Sequence, residues 1–401
     1  MNASPLPIED RDDHAYRRDA IDGAGAFSKQ CRVPHRVMRG PKAPVSSLPF
    51  QAVPVSRRLH RIPVHDLGAA SPVALAEAEI ERAAVLLEIG RSTYGPAMVA
   101  VADRLSRRWL ARTDNPYREE IDAIAGLLKK SGSHLLNLSF EWGCTTAIAA
   151  DPSGPGFRML RTLDWPLEGI GRHLVAARHA TPYGPYDNLT WPGFTGIVTA
   201  SAPGRFAAAL NQPPMRRRGL PFPADWLLNR AGQWRNGGLP PVHLLRATFE
   251  QCATYEEARA RLVSTPLCSP AIFGLCGLRE GCVIERTETA AVVHEAPVCA
   301  TNHWQAASFQ GQARSMDSHE RHVQMSQCLA GRPDGLDWLK PPILNHTTRM
   351  ALVANPGQGS ILVQGFEADG PATEPLELGP AFRPLPQESA QKSLTGGHLA
   401  V

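Results

Sequence analysis

Residues 136–166, LNLSFEWGCTTAIAADPSGPGFRMLRTLDWP, decide the fold of this chain because they read as short strands around one cysteine. The runs LNLSFEW, CTTAIAA and FRMLRTLDW are typical of strands, and DPSGPG supplies the residues of a turn. If that turn closes a hairpin, Cys144 lies across from Leu163. Arg161 and Asp164 then flank Cys144, within the diagonal reach of neighbouring strands.

The hairpin suggests a chemistry for its cysteine. A nearby arginine favours the thiolate. Positions 161 and 164 point to opposite faces of a regular strand, so we expect the strand end or a β-bulge to turn Asp164 towards Arg161. The hairpin contains no histidine base, although a distant histidine is one option. The other is the α-amine of Cys144, freed by cleavage after Gly143, because glycine tolerates the strained backbone of such a cleavage.

The composition excludes several classes of function. The 401 residues include 42 Lys and Arg and 38 Asp and Glu, and this excess of positive charge is too small to indicate a nucleic-acid-binding surface. We interpret the run Arg216–Arg218 as a solvated loop. The sequence has no run of about 18 apolar residues, so we predict no stable membrane insertion. Its N-terminus lacks the apolar core of a secretory signal. Eight cysteines without a compact framework favour free thiols, so we predict a cytoplasmic protein.

Common metal and cofactor motifs are absent from the sequence. There is no phosphate-binding loop, dinucleotide-binding glycine motif, G-x-S-x-G, H-E-x-x-H or C-x-x-C. His319 and His322 lie on a predicted helix, but no third ligand has motif spacing, and we interpret them as exposed helix residues. We therefore predict neither a metal nor a cofactor.

Helical patterns surround a strand-rich middle. Residues 1–60 predict an extended, partly disordered arm, and residues 61–143 a helical segment that includes a helix opened by Ser71–Pro72. Residues 144–368 contain the strands, and residues 369–401 predict a loose tail rich in Pro and Gly. Helices outside and strands in the middle predict an α+β layered domain.

Several motifs along the chain together resemble one family. They are Cys-Thr-Thr at 144–146, Arg-x-x-Asp at 161–164, WPGFTGIVTASAPGRFAAALN ending at Asn211, VIER at 283–286, TNHW with Asn302, and SHER with Arg321. In this order they resemble the N-terminal-nucleophile (Ntn) cysteine hydrolases, in particular the acid ceramidase and N-acylethanolamine acid amidase branch of the choloylglycine hydrolase superfamily. The resemblance covers roughly residues 63–366 and implies a four-layer αββα sandwich of two antiparallel sheets.

The resemblance also implies roles for the residues of the hairpin. Cys144 would be the nucleophile and the residue before which the chain cuts itself, at the bond after Gly143. The freed α-amine of Cys144 would take and return the proton. Asp164 would hold that amine, and Arg161 would stabilise the thiolate.

Other matched residues would complete the site. Asn211 and Asn302 resemble the donors to the tetrahedral oxyanion. Arg321 resembles the arginine that braces the site from the following helix, and Arg314 is its competitor. For substrate binding the candidates are two tryptophans, which would shape an acyl pocket or simply fill the core: Trp191 and Trp304.

The function that the resemblance implies is hydrolysis of a linear, non-peptide C–N bond in a small N-acyl amide. It would pass through an S-acyl Cys144 intermediate, after autoproteolysis between Gly143 and Cys144 into two fragments that stay associated. Two alternatives stay open. One is transfer of the acyl group to an amine, as in isopenicillin N acyltransferase, and the other is a binding protein on the same fold that never cleaves.

Overall fold

The computed structural model describes residues 59–138 and 142–379, except for the side chains of Phe222 and Pro223. Almost all of the arm predicted over residues 1–60, and the end of the chain from residue 380, lie outside the described residues. The strands within them are β1 (Val64–Gly68), β2 (Gly143–Ala150), β3 (Phe157–Asp164), β4 (Val175–His179), β5 (Tyr186–Thr190), β6 (Thr199–Ala202), β7 (Phe206–Asn211), β8 (Ala271–Cys276), β9 (Gly281–Arg286), β10 (Ala291–Glu295), β11 (Val298–Ala300), β12 (Thr348–Asn355), β13 (Ser360–Glu367), β14 (Gly370–Pro371) and β15 (Leu376–Leu378).

Helices precede, interrupt and follow these strands. They are α1 (Pro72–Ala78), α2 (Ile80–Tyr94), α3 (Pro96–Leu110), α4 (Arg118–Leu128), α5 (Ser133–Asn137), a short 3-10 helix (Ile170–His173), α6 (Phe222–Gln233), α7 (Pro241–Gln251), α8 (Tyr255–Ser264) and α9 (Ser318–Ala330). Among the described residues, no helix combines the length and the apolar character needed to cross a membrane.

The described strands form two sheets that pack face to face. One has the order β1-β4-β5-β6-β7-β8-β9-β10, and the other has the order β11-β2-β3-β12-β13-β14, with β15 also paired to β13. Strands β2 and β3 face β7 and β8 across the interface. Helix α9 packs on the outer side of β2, and α7 and α8 pack on β7 and β8. The structure thus confirms the predicted α+β sandwich, with its layers in the order helix, sheet, sheet, helix.

Apolar side chains fill the space between the two sheets. Ile148 and Leu163 of the hairpin lie in this core and are fully buried, and Ile148 is next to Gly274 of β8 and Gly281 of β9. Burial of side chains of this size stabilises a fold by roughly 1.5–3 kcal/mol each. This core fixes the position of the hairpin that carries Cys144.

Capping residues in the sequence predict helix α1 correctly, whereas helix α7, which is buried by tertiary packing, was not predicted. The side chain of Ser71 accepts a hydrogen bond from Val73 N at the start of α1, with Pro72 in the first turn, as predicted. Helix α7 has no counterpart in the prediction. Residues 241–249 of α7 are all buried, including the polar residues His243, Arg246 and Thr248, so its polar positions do not mark a solvent-facing side.

The C-terminal segment differs from its prediction as a loose tail. Strands β14 and β15 both pair with β13, and His60 bridges to Thr373, so the ordered body continues past residue 368. Strands of two or three residues offer too few positions for alternation to appear in the sequence.

Candidate active site

Cys144 lies near the start of β2, fully buried. Its Sγ donates to Leu210 O at 3.6 Å and accepts from Arg161 Nη2 at 3.3 Å. Its backbone N donates to Asn302 Oδ1 at 2.8 Å, and its carbonyl oxygen accepts from Arg321 Nη1 at 2.5 Å. Arg161, Asn302 and Arg321, which are far apart in the sequence, therefore meet at one cysteine.

The predicted register of the hairpin is confirmed. Cys144 pairs with Leu163 and Gly143 pairs with Asp164, without a slip along β2 and β3. Because side chains alternate along a strand, Cys144 and Arg161 share the face towards the second sheet. Asp164 lies on the opposite face, on the side of α9.

Arg161 is a fully buried cation with uncharged neighbours. Besides Cys144 Sγ, its guanidinium donates to four oxygen atoms: Thr199 Oγ1 at 2.7 Å, Thr146 Oγ1 at 2.9 Å, Asn211 Oδ1 at 2.5 Å and Leu210 O at 2.7 Å. Within the residues that the structure describes, no carboxylate lies at ion-pair distance from Arg161. Neutral acceptors and the sulfur atom therefore surround its charge.

Asp164 does not turn towards Arg161, so that expectation is wrong. Its Oδ1 accepts from Thr348 Oγ1 at 2.8 Å, and its Oδ2 lies 3.5 Å from Arg321 Nη1. Neither contact is shared with Arg161. The carboxylate and the guanidinium of the Arg-x-x-Asp motif instead approach Cys144 from opposite faces of the hairpin.

The bulge that was expected in the hairpin lies in its neighbour, β12. The register between β12 and β3 shifts between Thr348 and Met350, which makes Arg349 the extra residue. This bulge leaves Thr348 opposite Asp164, and the two side chains form a hydrogen bond. Arg349 is itself buried and donates to Leu167 O at 2.7 Å.

Arg321 of α9 contacts the hairpin at Cys144. It is fully buried, and it donates to Thr145 Oγ1 at 2.8 Å and to Asn302 Oδ1 at 2.9 Å, besides the Cys144 carbonyl. Arg314, the competitor, approaches the site through its backbone N, which donates to Asn302 O at 3.0 Å. The geometry thus favours Arg321 over Arg314 for this position.

The two asparagines are held by oriented hydrogen bonds. Asn211 Oδ1 accepts from Arg161, and Asn302 Oδ1 accepts from the backbone N of Cys144. Their Nδ2 groups donate to backbone carbonyl oxygens of Ala300, Thr301 and Gln212. In this structure Asn302 is therefore an acceptor for Cys144, and the Nδ2 groups of both asparagines are bound to backbone oxygens.

Burial raises the pKa of the Cys144 thiol above its ordinary value. The positive charges of Arg161 and Arg321 oppose this rise, and the negative charge of Asp164 adds to it. Burial has the largest effect, so this environment favours the thiol form of Cys144 over the thiolate.

Gly143 is needed for a close approach. A Cβ on this residue would overlap Ser315 Oγ, and it would lie 2.7 Å from Ser315 Cβ and 3.3 Å from Asp164 Cβ. Gly143 is not among the described glycines with positive φ, so the strained backbone expected from the sequence is not the reason for this glycine. Ser315, which packs against Gly143, instead has the positive φ, of 64°.

Several supporting residues were not identified from the sequence. Thr199 and Thr348 bond the arginine and the aspartate of the hairpin, and Ser318 Oγ accepts from Asn302 N at 2.9 Å. Glu285 is fully buried and accepts from the backbone N atoms of residues 305 and 306, which fixes the chain after Asn302. Thr199, Glu285 and Ser318 lie inside motifs that resemble the family, so those motifs could have identified them. Thr348 lies in none of the motifs.

Each predicted substrate-binding tryptophan lines a cavity, and the larger of the two cavities borders the site at Asn211. Trp304 lines the larger, of about 820 Å³, whose wall includes Leu210 and Asn211. Trp191 lines a smaller one of about 80 Å³. Trp191 is also buried, and its Nε1 donates to Ile170 O at 2.8 Å, so it belongs to the core as well.

His319 and His322 of α9 pack against a third histidine, His303. The ring of His303 lies 3.9 Å from His319 and 5.3 Å from His322, measured between centroids. In the described part of the chain, no group of His, Cys, Asp or Glu side chains is arranged to hold a metal ion. Burial, followed by the neighbouring histidines, lowers the pKa of His303 to about 4, so its ring is neutral at pH 7.

Comparisons with known proteins support the resemblance seen in the sequence. The chain is 28% identical over 218 residues to the N-acylethanolamine-hydrolyzing acid amidase of Oryctolagus cuniculus, which covers 52% of this chain and 58% of that protein. It is 32% identical over 220 residues to the acid ceramidase of Heterocephalus glaber, which covers 49% and 54%. The predicted resemblance is thus confirmed, and the chain spans about half the length of the curated relatives that it matches.

No family model matches the chain. Among solved structures, an N-acylethanolamine-hydrolyzing acid amidase ortholog from Caenorhabditis elegans has a TM-score of 0.43 and 20% identity, covering 59% of this chain and 100% of that one. A variant of the conjugated bile acid hydrolase of Clostridium perfringens has a TM-score of 0.33 and 7% identity, covering 59% and 92%.

Proposed function

We propose that this protein is an Ntn amidohydrolase that cleaves a linear N-acyl amide through Cys144, after cutting its own chain between Gly143 and Cys144. The observation that carries the proposal is the meeting of Arg161, Asn302 and Arg321 at the polar atoms of one buried cysteine. The curated relatives, by name an acid amidase and an acid ceramidase, support the same chemistry.

The cut would begin at the thiol of Cys144. Its sulfur attacks the carbonyl carbon of Gly143, the C–N bond breaks, and the thiol proton passes to the departing nitrogen. The products are a thioester between Gly143 and Sγ and a free α-amine on Cys144. Water then hydrolyses the thioester to a carboxylate on Gly143 and a thiol. Asn302, which accepts from the backbone N of Cys144, holds the nitrogen that leaves.

Asp164 is placed to receive the new amine. Its Oδ2 is buried and has no hydrogen-bond partner among the described residues, although Arg321 lies at ion-pair distance. An unsatisfied buried carboxylate oxygen is costly, and an ammonium group would satisfy it. Gly143, the residue that pairs with Asp164, is the one that the cut releases. We therefore assign Asp164 to the α-amine of Cys144 in the cut enzyme.

The same groups then act on the substrate. The α-amine takes the thiol proton, and Arg161 stabilises the thiolate as it attacks the amide carbonyl. The substrate amine leaves with the proton, and water hydrolyses the S-acyl intermediate to the free acid. Asn211 lies on the wall of the larger cavity and is our candidate oxyanion donor, once its Nδ2 turns away from the backbone.

Intact mass and N-terminal sequencing of the purified protein test this function. We expect two associated fragments, the second beginning with Cys144. The protein should release acid and amine in equal amounts from an N-acyl amide, and thiol alkylation should stop that release. A chain that stays whole at acidic and neutral pH, without thiol-dependent amide hydrolysis, would overturn the proposal. A new amide formed from an added amine would instead show acyl transfer.

The contact between Gly143 and Ser315 gives a further prediction. We expect Gly143→Ala to slow the cut roughly tenfold or more, because the added methyl overlaps Ser315 and overpacking costs about 1–3 kcal/mol. The measurement is the fraction of two-fragment protein against time on a denaturing gel.

A second substitution separates this clash from other effects. Ser315→Gly removes both clashing atoms and should restore the cut in the Gly143→Ala chain, since Asp164 Cβ at 3.3 Å needs only a small shift. The control is Gly126→Ala in α4, where a Cβ meets nothing within 4 Å. If Gly143→Ala alone cuts at the wild-type rate, the close approach has no part in the reaction.

A further inference from the structure

The larger cavity beside Cys144 is strongly basic. Its volume of about 820 Å³ lies within the range of roughly 300–1,000 Å³ that is usual for small-molecule sites. The described lining contains one carboxylate, that of Glu288, and six arginines: Arg216, Arg217, Arg218, Arg230, Arg235 and Arg314. The arginines come from three separate segments of the chain, so the positive charge is a property of the folded cavity.

Carboxylates of the protein compensate only part of this charge. Arg216 Nη2 lies 3.6 Å from Glu288 Oε2, and Arg217 Nε lies 2.8 Å from Oδ2 of the buried Asp225. Arg218 and Arg235 are exposed and have no carboxylate at ion-pair distance in the part of the chain that the structure describes. These two guanidinium groups can therefore bind an anion without first breaking an internal ion pair.

The cavity adjoins the reacting cysteine. Leu210 and Asn211 lie on its wall, and both accept hydrogen bonds from Arg161, which contacts Cys144 Sγ. Leu210 O also accepts from the thiol. A ligand in the basic cavity would therefore lie next to the groups that surround the thiol.

The smaller cavity has the opposite character. Its described lining contains no charged side chain and includes Leu86, Leu167 and Trp191. Three tryptophan rings connect the two cavities. The ring centroid of Trp142, which lines the basic cavity, lies 5.1 Å from that of Trp165, which in turn lies 6.1 Å from that of Trp191. At about 80 Å³ it is smaller than a cavity that admits benzene, so an acyl chain would have to widen it.

We infer that the substrate, within the proposed amidase function, is an N-acyl amide whose amine half carries an anionic group, as in an N-acyl amino acid. Guanidinium groups bind carboxylates through paired, charge-assisted hydrogen bonds. Arg218 and Arg235 are the residues that we assign to this group. An uncharged amine half, such as ethanolamine, would leave both arginines without a counter-charge.

Binding to the uncleavable Cys144→Ala chain tests this inference without any need for activity. The probes are N-decanoylglycine, N-decanoyltaurine and uncharged N-decanoylethanolamine, which share one acyl chain. We expect an anionic probe to bind about tenfold more tightly than the uncharged one, with the difference shrinking as salt rises. Tighter binding of the glycine amide would identify the anionic group as a carboxylate, and tighter binding of the taurine amide would identify it as a sulfonate. Equal or tighter binding of the uncharged probe overturns the inference.

Substitution of the two arginines supplies the second readout. In the Cys144→Ala chain, Arg218→Gln with Arg235→Gln should remove the preference for the anionic probe. Arg279→Gln, at an exposed arginine outside the cavity, should retain the preference. A preference that survives the double substitution also overturns the inference.

Hydrolysis by the wild-type protein separates failure of the inference from failure of the proposed function. Faster hydrolysis of the glycine or taurine amide than of the ethanolamide, as kcat/KM, supports the inference. Preference for the ethanolamide overturns the inference and leaves the amidase intact. Selective binding of the anionic probe, with no hydrolysis of any of the three amides, overturns the assignment of that anion as part of a substrate and counts against the amidase itself.

Discussion

Cys144→Ala is expected to leave the chain in one piece and to lower amide hydrolysis by roughly a thousandfold or more, because the one atom that forms both thioesters is gone. Cys144 is fully buried, and alanine fits the space with only a small cavity. The variant should therefore fold, which circular dichroism can verify. Intact mass and the release of free acid from an N-acyl amide measure the two losses.

A matched cysteine elsewhere in the core controls for the loss of a buried sulfur. Cys276 of β8 is also fully buried, and burial raises the pKa of its thiol, but it lies outside the site. Cys276→Ala should still be cut and should still hydrolyse the amide. Cys144→Ser, with a weaker nucleophile, should cut slowly and turn over poorly. A Cys144→Ala chain that is still cut after residue 143 would refute the assigned nucleophile.

The register of the hairpin that carries Cys144 follows from local sequence. A turn rich in Pro and Gly lies between two apolar runs, and the side-chain period of two fixes which residues pair once the turn is placed. The structure accordingly has Cys144 across from Leu163, as predicted. The position of Arg161 on the face of the cysteine follows from the same period.

The face of Asp164 was misjudged because its partners are remote in sequence. The expectation assumed that arginine and aspartate must meet on one side of the hairpin. The structure instead provides a second side, built by Arg321 of α9 and by Thr348 beside a bulge in β12. Local spacing in β3 carries no information about where another strand gains an extra residue.

The basic cavity was also out of reach of the sequence. The run Arg216–Arg218 by itself is typical of a solvated loop. Its meaning changes because Arg235 and Arg314 lie on the same cavity, and only the tertiary fold brings these segments together. A formal net charge of +4 for the whole chain gives no hint of such a local concentration.

Arg161→Lys is expected to fold and to lose about a hundredfold in amide hydrolysis. The guanidinium donates to Cys144 Sγ and to oxygens on strands β2, β6 and β7. An ammonium group has three donors where a guanidinium has five, so lysine leaves buried acceptors unsatisfied, at about 1–3 kcal/mol each. Hydrolysis rates and thermal unfolding of the cut protein measure the two effects.

Arg161→Gln separates the charge from the hydrogen bonds. Among the described residues no carboxylate pairs with Arg161, so a thiolate at Cys144 is the anion placed to balance it. Without the positive charge, the pH midpoint for alkylation of Cys144 in the cut protein should rise by roughly one to three pH units. Arg158→Gln is the control, because Arg158 is a buried arginine of the same strand that faces away from Cys144, towards Pro333 O. An unchanged midpoint in Arg161→Gln would mean that thiolate stabilisation comes from another group, of which Arg321 is the nearest candidate.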